Sequence, residues 1–76
     1  MRNRIIWRLE SAQAHLKLGE LEPACAAIEK ALDHAESGAV TPRVVRVFHA
    51  VDLRVRASRG VAATSERLRD FIVANE

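Results

Sequence analysis

The residues that could do chemistry in this chain are three histidines, one cysteine and a few closely spaced carboxylates. Zinc sites usually draw their ligands from short motifs, such as Cys-x-x-Cys or two histidines one helical turn apart. His15, His34 and His49 are isolated, and Cys25 has no second cysteine for a disulfide. His15 and Cys25 could face each other across a helical hairpin, but two ligands do not make a metal site. We expect no metal and no cofactor, with Cys25 serving as a small core residue.

Two pairs of carboxylates have a spacing that places both side chains on one helix face: Glu29 with Asp33, and Glu66 with Asp70. Such pairs can perform general acid–base catalysis. Because arginines and a lysine flank both pairs, solvated surface acids are the competing interpretation. No serine has an adjacent base and orienting group, and no glycine-rich phosphate loop is present. We predict that the chain is not an enzyme.

Length and composition indicate one small helical domain spanning residues 1–76. The chain is 49% apolar but has only three aromatic residues, so the core must be aliphatic and rich in alanine. No apolar run is long enough for a membrane span, and no signal-peptide pattern follows the N-terminal arginines. A single cysteine is compatible with a reducing compartment. We expect a cytoplasmic protein with no membrane partner.

The apolar periodicity predicts an all-α fold of four helices. Gly19 would end the first helix, Gly60 would break the chain before the fourth, and Thr41 before Pro42 has the pattern of a helix start. A strand is the competing interpretation of the third helix, because this segment is rich in valine and alternates between apolar and charged residues over 51–56. No second strand is available to pair with it, so we predict a helix. The expected ranges are about 3–18, 21–36, 42–58 and 61–75.

Short connections predict two antiparallel helical hairpins, at about 3–36 and about 42–75. Each helix has one apolar face that would enter the core. These faces are Ile5, Leu9, Ala12 and Leu16; Leu21, Ala24, Ile28, Ala31 and Ala35; Val44, Phe48, Val51 and Val55; and Val61, Leu68, Phe71 and Ile72.

The first hairpin carries a recognisable pattern of small residues. Ala12, Gly19, Ala24, Ile28 and Ala31 occur in the order and spacing of a tetratricopeptide repeat, which this segment resembles. The resemblance implies a helical hairpin that contacts other proteins. It covers residues 12–31, and the second hairpin carries almost none of the pattern.

A second resemblance comes from the alanine-rich segment 24–32 followed by Thr-Pro-Arg-Val-Val-Arg at 41–46. Together they look like the C-terminal helical module of actinobacterial transcriptional regulators, in which a degenerate tetratricopeptide-like region follows a helix-turn-helix domain. No DNA-reading helix-turn-helix is evident in this sequence. The resemblance implies the sensing or protein-contact part of such a regulator.

The first helix is apolar on a second face, formed by Trp7, Ser11, Ala14 and Leu18. Either the third or fourth helix covers this face, or it is an interface with another protomer or with an upstream repeat outside this sequence. Repeat hairpins bury their core by stacking, and two hairpins are fewer than the usual minimum of about three. We therefore predict a homodimer or a partner-bound form.

Two further surfaces are candidate contact sites. Arg43, Arg46 and Arg54 share one flank of the third helix and could contact an acidic partner or phosphates, unless they are merely solvated. The tetratricopeptide resemblance also implies a groove lined by first-helix residues, in which Lys17 and Arg54 could clamp a peptide carboxylate. The implied groove residues are Ile6, Gln13, Lys17, Val47 and Arg54.

The function predicted from the sequence is a non-catalytic protein–protein interaction or oligomerisation module in a transcription-related regulatory assembly. One alternative is a small nucleic-acid-associated regulator that uses the arginine flank of the third helix. The net charge of +2 is mild and does not by itself indicate nucleic-acid binding. The other alternative is a structural fragment of a larger repeat protein.

Overall fold

Four α-helices make up the fold in the computed structural model, which describes residues 4–38, 40–58 and 60–75. They are α1 (Arg4–Lys17), α2 (Leu21–Ser37), α3 (Pro42–Arg56) and α4 (Ala62–Ala74). No strand occurs within these residues, so the all-α prediction is confirmed. None of the described helices is long and apolar enough to cross a bilayer.

The strand alternative for residues 51–56 is wrong, because this segment is helical. Val44, Phe48, Val51 and Val55 lie on one face of α3 and are at most 1% exposed. Burial of this face stabilises the helix by more than its valines cost in helix propensity, since tertiary packing supplies most helical stability.

Each helix packs against two others. Helix α1 lies beside α2 and α3, and α4 also lies beside α2 and α3, whereas α1 is diagonal to α4 and α2 is diagonal to α3. The four helices therefore surround one core. We refer to α1 with α3 as the α1/α3 layer and to α2 with α4 as the α2/α4 layer.

The core contains nearly all of the residues predicted for it. Leu16 and Leu21 are the exceptions, because they are half-buried at its edge. Ala12 and Ala31 are fully buried, and their small side chains let α1 and α2 approach closely. Phe48 and Phe71 join α3 to α4 through tilted rings whose centroids are 4.7 Å apart.

Local backbone chemistry accounts for the end of α1, for the break between α3 and α4 and for the start of α3. Gly19 and Gly60 have φ angles of +75° and +83°, in the left-handed region that side chains with a Cβ disfavour. Thr41 caps α3 as predicted: the Val44 amide donates a hydrogen bond to Thr41 Oγ1 at 3.2 Å, and Pro42 occupies the first turn.

Candidate functional site

The second apolar face of α1 lies open to solvent. Trp7 is 56% exposed and Leu18 is 74% exposed; Ala14 is also exposed, and Ser11 is half-buried. Helix α4 does not reach α1, and α3 packs without shielding these two large side chains. The expectation that the third or fourth helix covers this face is therefore wrong. We call Trp7, Ser11, Ala14 and Leu18 the α1 stripe.

The register of α1 places the stripe opposite its buried side. Ile5, Leu9 and Ala12 face the core, and positions 7, 11, 14 and 18 fall on the other side of a helix with 3.6 residues per turn. Leu18 continues this geometry just beyond the end of α1, because its amide donates to the Ala14 carbonyl at 3.3 Å and to the His15 carbonyl at 3.1 Å.

Charged residues border the α1 stripe on both flanks. Glu10 and Lys17 are exposed on one flank. On the other flank, the Arg8 guanidinium lies 5.9 Å from the centre of the Trp7 ring, within cation–π range. On that flank His15 Nδ1 also donates a hydrogen bond of 2.8 Å to Glu20 Oε1. The stripe therefore has an apolar centre and a charged border.

The three arginines that the sequence singled out on α3 are all exposed. Arg43, Arg46 and Arg54 make no ion pair with any residue that the structure describes. Arg56, one turn beyond Asp52, differs from them: its Nη2 contacts Asp52 Oδ2 at 2.8 Å. Asp52 is 3% exposed, and its Oδ1 has no hydrogen-bond partner among the described residues. The three solvent-facing arginines are therefore available to an anion.

Charge is divided unevenly between the two layers. Helices α1 and α3 together carry seven Arg and Lys residues against two Asp and Glu residues. Helices α2 and α4 carry three basic residues against six acidic ones. The α1/α3 layer is consequently basic and the α2/α4 layer is acidic, a polarity that the mild net charge of the whole chain conceals.

A cluster of ion pairs between α2 and α4 organises the acidic layer. The Arg67 guanidinium donates hydrogen bonds to Glu29, to Asp33 Oδ1 at 2.6 Å and to Glu36. These bonds raise the pKa of Arg67 above its usual value, first through Asp33, then through Glu29 and Glu36. Glu29 and Asp33, considered above as an acid–base pair, are thus joined through one arginine.

The sequence predicts neither the ion-pair cluster around Arg67 nor the burial of Asp52. Acidic residues at 29, 33 and 36 recur at helical spacing, which was the available signal for a cation on a neighbouring helix. Nothing in the spacing of Arg67 itself identified it as that cation. For Asp52, the sequence contains no pattern that predicts burial, apart from its position next to the core residue Val51.

The predicted groove is only partly compatible with the structure. Ile6 is 7% exposed and belongs to the core, so its assignment to a groove is wrong. Gln13 and Val47 are half-buried, whereas Lys17 and Arg54 are exposed. Described clefts lie instead between the first turns of α2 and α4 and beside the last turn of α4. The other four groove residues stay a prediction.

The potential metal ligands are dispersed. Cys25 is half-buried against the core, and His49 is exposed on α3. Over residues 4–38, 40–58 and 60–75, no three His, Cys, Asp or Glu side chains are placed to hold a metal ion together.

Comparison of this chain with protein-family models, with curated proteins and with solved structures finds no match in any of the three.

Proposed function

We propose that this chain is a non-catalytic protein-contact module and that the α1 stripe is its contact surface. The observation that carries the proposal is the exposure of Trp7 and Leu18 on one face of a well-packed helix. Isolated apolar side chains are ordinary on protein surfaces, whereas apolar patches mark interaction sites, and exposed Ala14 lies between Trp7 and Leu18 on the same helix face. Tryptophan is also among the residues that contribute most to the affinity of protein interfaces.

The composition of the α1 stripe supports a helix as the partner element. Ser11 and Ala14 are small and lie between the two large side chains, so a second backbone could approach closely at the centre. The steps of four, three and four residues match the seam between two helices that cross at about 20°. The resemblance of segment 12–31 to a tetratricopeptide repeat favours protein contact, and that of segments 24–32 and 41–46 to a regulator module favours a transcription-related assembly as the setting.

The test is capture of proteins from a lysate of the native host on the immobilised chain, with quantification of what is retained. Trp7→Glu places a charge in the α1 stripe, and we expect it to reduce retention of the specific partner at least tenfold. Leu53→Glu is the matched control, because Leu53 is 67% exposed on α3, outside the stripe. It should retain the partner as the wild type does.

Circular dichroism of both variants confirms that each is folded. If Trp7→Glu and wild type retain the same proteins in the same amounts, and neither self-associates, the proposed contact surface is wrong.

A second candidate function, contact with a nucleic acid, has a specific observation in its favour. Arg43, Arg46 and Arg54 are exposed in the basic α1/α3 layer and make no ion pair within the described chain. Phosphate contacts of this kind give binding that weakens steeply with salt. A random DNA duplex should show a salt-dependent rise in anisotropy that is lost when all three arginines are changed to alanine. Absence of binding at low salt would eliminate this candidate.

A further inference from the structure

The α1 stripe is self-complementary when it is reversed end to end. Trp7, Ser11, Ala14 and Leu18 run large, small, small, large, symmetrically about a point between residues 12 and 13. An antiparallel second α1 helix would therefore place Trp7 opposite Leu18 of the second copy. It would also place Ser11 opposite Ala14 of the second copy. The spacing is common to helix seams, and the order of large and small side chains adds to it a fit to a second copy of the same stripe.

We propose that the partner of the α1 stripe is a second copy of this chain, with the two α1 helices antiparallel about a twofold axis. The inference rests on the proposed contact function and names the partner for the same surface. In a twofold interface each contact occurs twice, so a favourable pair contributes twice and an unfavourable pair is penalised twice.

Charges on one flank of α1 fit this arrangement. A twofold axis perpendicular to the helices brings each flank against the same flank of the other copy. Glu10 and Lys17 are seven residues apart and therefore share a flank; both are exposed and neither makes an ion pair within the described chain. At 1.5 Å rise per residue, Glu10 lies within roughly 3 Å, along the helix axis, of Lys17 of the second copy. Two symmetric Glu10–Lys17 pairs follow.

The opposite flank offers one further pair of opposite charges, while Arg8 of one copy comes to nearly the level of His15 of the other. Arg4 is exposed near the start of α1, and Glu20 lies just past its end, held at 2.8 Å by His15 Nδ1. Reversal brings Arg4 of one copy to nearly the same level as Glu20 of the other. Each side of the apolar seam thus contains a pair of opposite charges, Glu10 with Lys17 on one and Arg4 with Glu20 on the other, which favours the antiparallel register over a slipped one.

The interface is small because one helix from each copy forms it. It falls below the 1,200 Å² or so of total area buried in standard stable interfaces. Trp7 and Leu18 supply most of its apolar area, and four exposed ion pairs add a modest electrostatic contribution. We expect a reversible dimer with a dissociation constant on the order of tens of micromolar.

The experiment is sedimentation equilibrium of the purified chain at concentrations from about 5 to about 500 µM, which bracket the expected dissociation constant. Wild type should change from monomer to dimer across this range. Glu10→Lys and Lys17→Glu each replace two attractive pairs with two repulsive ones, so each should weaken the dimer about tenfold. The double variant carrying both reversals restores opposite charges and should recover wild-type association. Leu53→Glu should associate like wild type.

The outcomes separate this inference from the function on which it rests. Recovery in the double variant supports the antiparallel pair, because a parallel pair leaves Glu10 and Lys17 on opposite sides of the seam. A wild-type dimer without such recovery overturns the proposed register. A wild-type monomer at the highest concentration overturns the self-association. If Trp7→Glu still abolishes capture of a host protein in that last case, the contact function stands and only its partner changes.

Discussion

Helices α1 and α2 pack on each other around the same core, yet their outward faces are completed in different ways. The outward face of α2 is acidic, and Arg67 of α4 closes three of its carboxylates into one cluster. The outward face of α1 is apolar at Trp7 and Leu18, and no described helix covers them. The carboxylates of α2 find their cation within the domain, whereas Trp7 and Leu18 leave water only if another molecule covers them.

The difference follows from the reach and solvation of the two kinds of side chain. A long arginine on α4 can span the gap to α2 and keep its charged end partly in water. An exposed indole or leucine gains free energy only when its area is buried, at about 25 cal/mol per Å². With α3 on one side and α2 on another, the outward face of α1 receives no such cover inside the domain.

The largest expected change in stability is the difference between truncating a buried aromatic residue and truncating an exposed one. Phe48 is fully buried against Phe71, so Phe48→Ala should lower the free energy of unfolding by about 3–5 kcal/mol. Trp7→Ala removes a larger side chain from an exposed site and should cost less than about 1 kcal/mol in dilute solution. Chemical denaturation of both variants at low micromolar concentration measures the difference. Equal losses would mean that Trp7 belongs to the core and not to a contact surface.

A smaller change in stability should distinguish the two faces of α1 when one alanine on each face is enlarged to leucine. Ala12 is fully buried where α1 meets α2, and Ala12→Leu should overpack this crossing at a cost of about 1–3 kcal/mol. Ala14 lies on the α1 stripe and is exposed, so Ala14→Leu should change the free energy of unfolding by less than about 0.5 kcal/mol. Thermal unfolding of both variants tests this. A large cost at Ala14 would show that its face is covered.

The smallest effect concerns the ionic closure of α2. Arg67→Met keeps much of the side-chain length but removes the charge shared by three carboxylates, and should destabilise the fold by about 1 kcal/mol. Arg69→Met is the matched control on the same helix, because Arg69 is exposed and makes no ion pair within the described chain. It should be nearly neutral.

The difference between the two arginine variants should shrink in concentrated salt, which screens exposed pairs. Titration of Arg67 itself should not change the free energy of unfolding in ordinary buffers, because its guanidinium stays charged there. The pKa of Arg67 is raised in the folded state. The stabilisation from its charge is therefore complete at any pH below the pKa of a free arginine, and it is lost only as the pH rises through the higher pKa of the folded state. A salt-independent cost for Arg67→Met would indicate lost packing instead of lost charge.

Much of the fold was predictable because its signals are local. Gly19 ends the first helix through a left-handed φ angle, and Thr41 with Pro42 begins the third through a side-chain cap. The periodic apolar faces then determined which residues enter the core. The α1 stripe is also predictable as a second apolar face, but the sequence does not show whether another helix of the chain covers it.

The contacts between helices were not predictable from spacing. Arg67 binds carboxylates that lie 31 to 38 residues away in the chain, and Ile6 joins the core although its position suggested a groove. Asp52 is buried with one oxygen paired to Arg56 and the other unpartnered, an outcome that no local rule indicates. Such results depend on how far each side chain reaches once the helices have docked.

The sequence by itself determined four helices, their boundaries to within about two residues and most of their inward faces, because these depend on backbone conformation, capping and a period of 3.6 residues. Only the tertiary structure decided which outward faces remain uncovered. It placed α4 beside α2, which closed the acidic surface through Arg67, and it left Trp7 and Leu18 in solvent. The physical reason is that helix order in space, and not spacing along the chain, decides which side chains come within reach of one another.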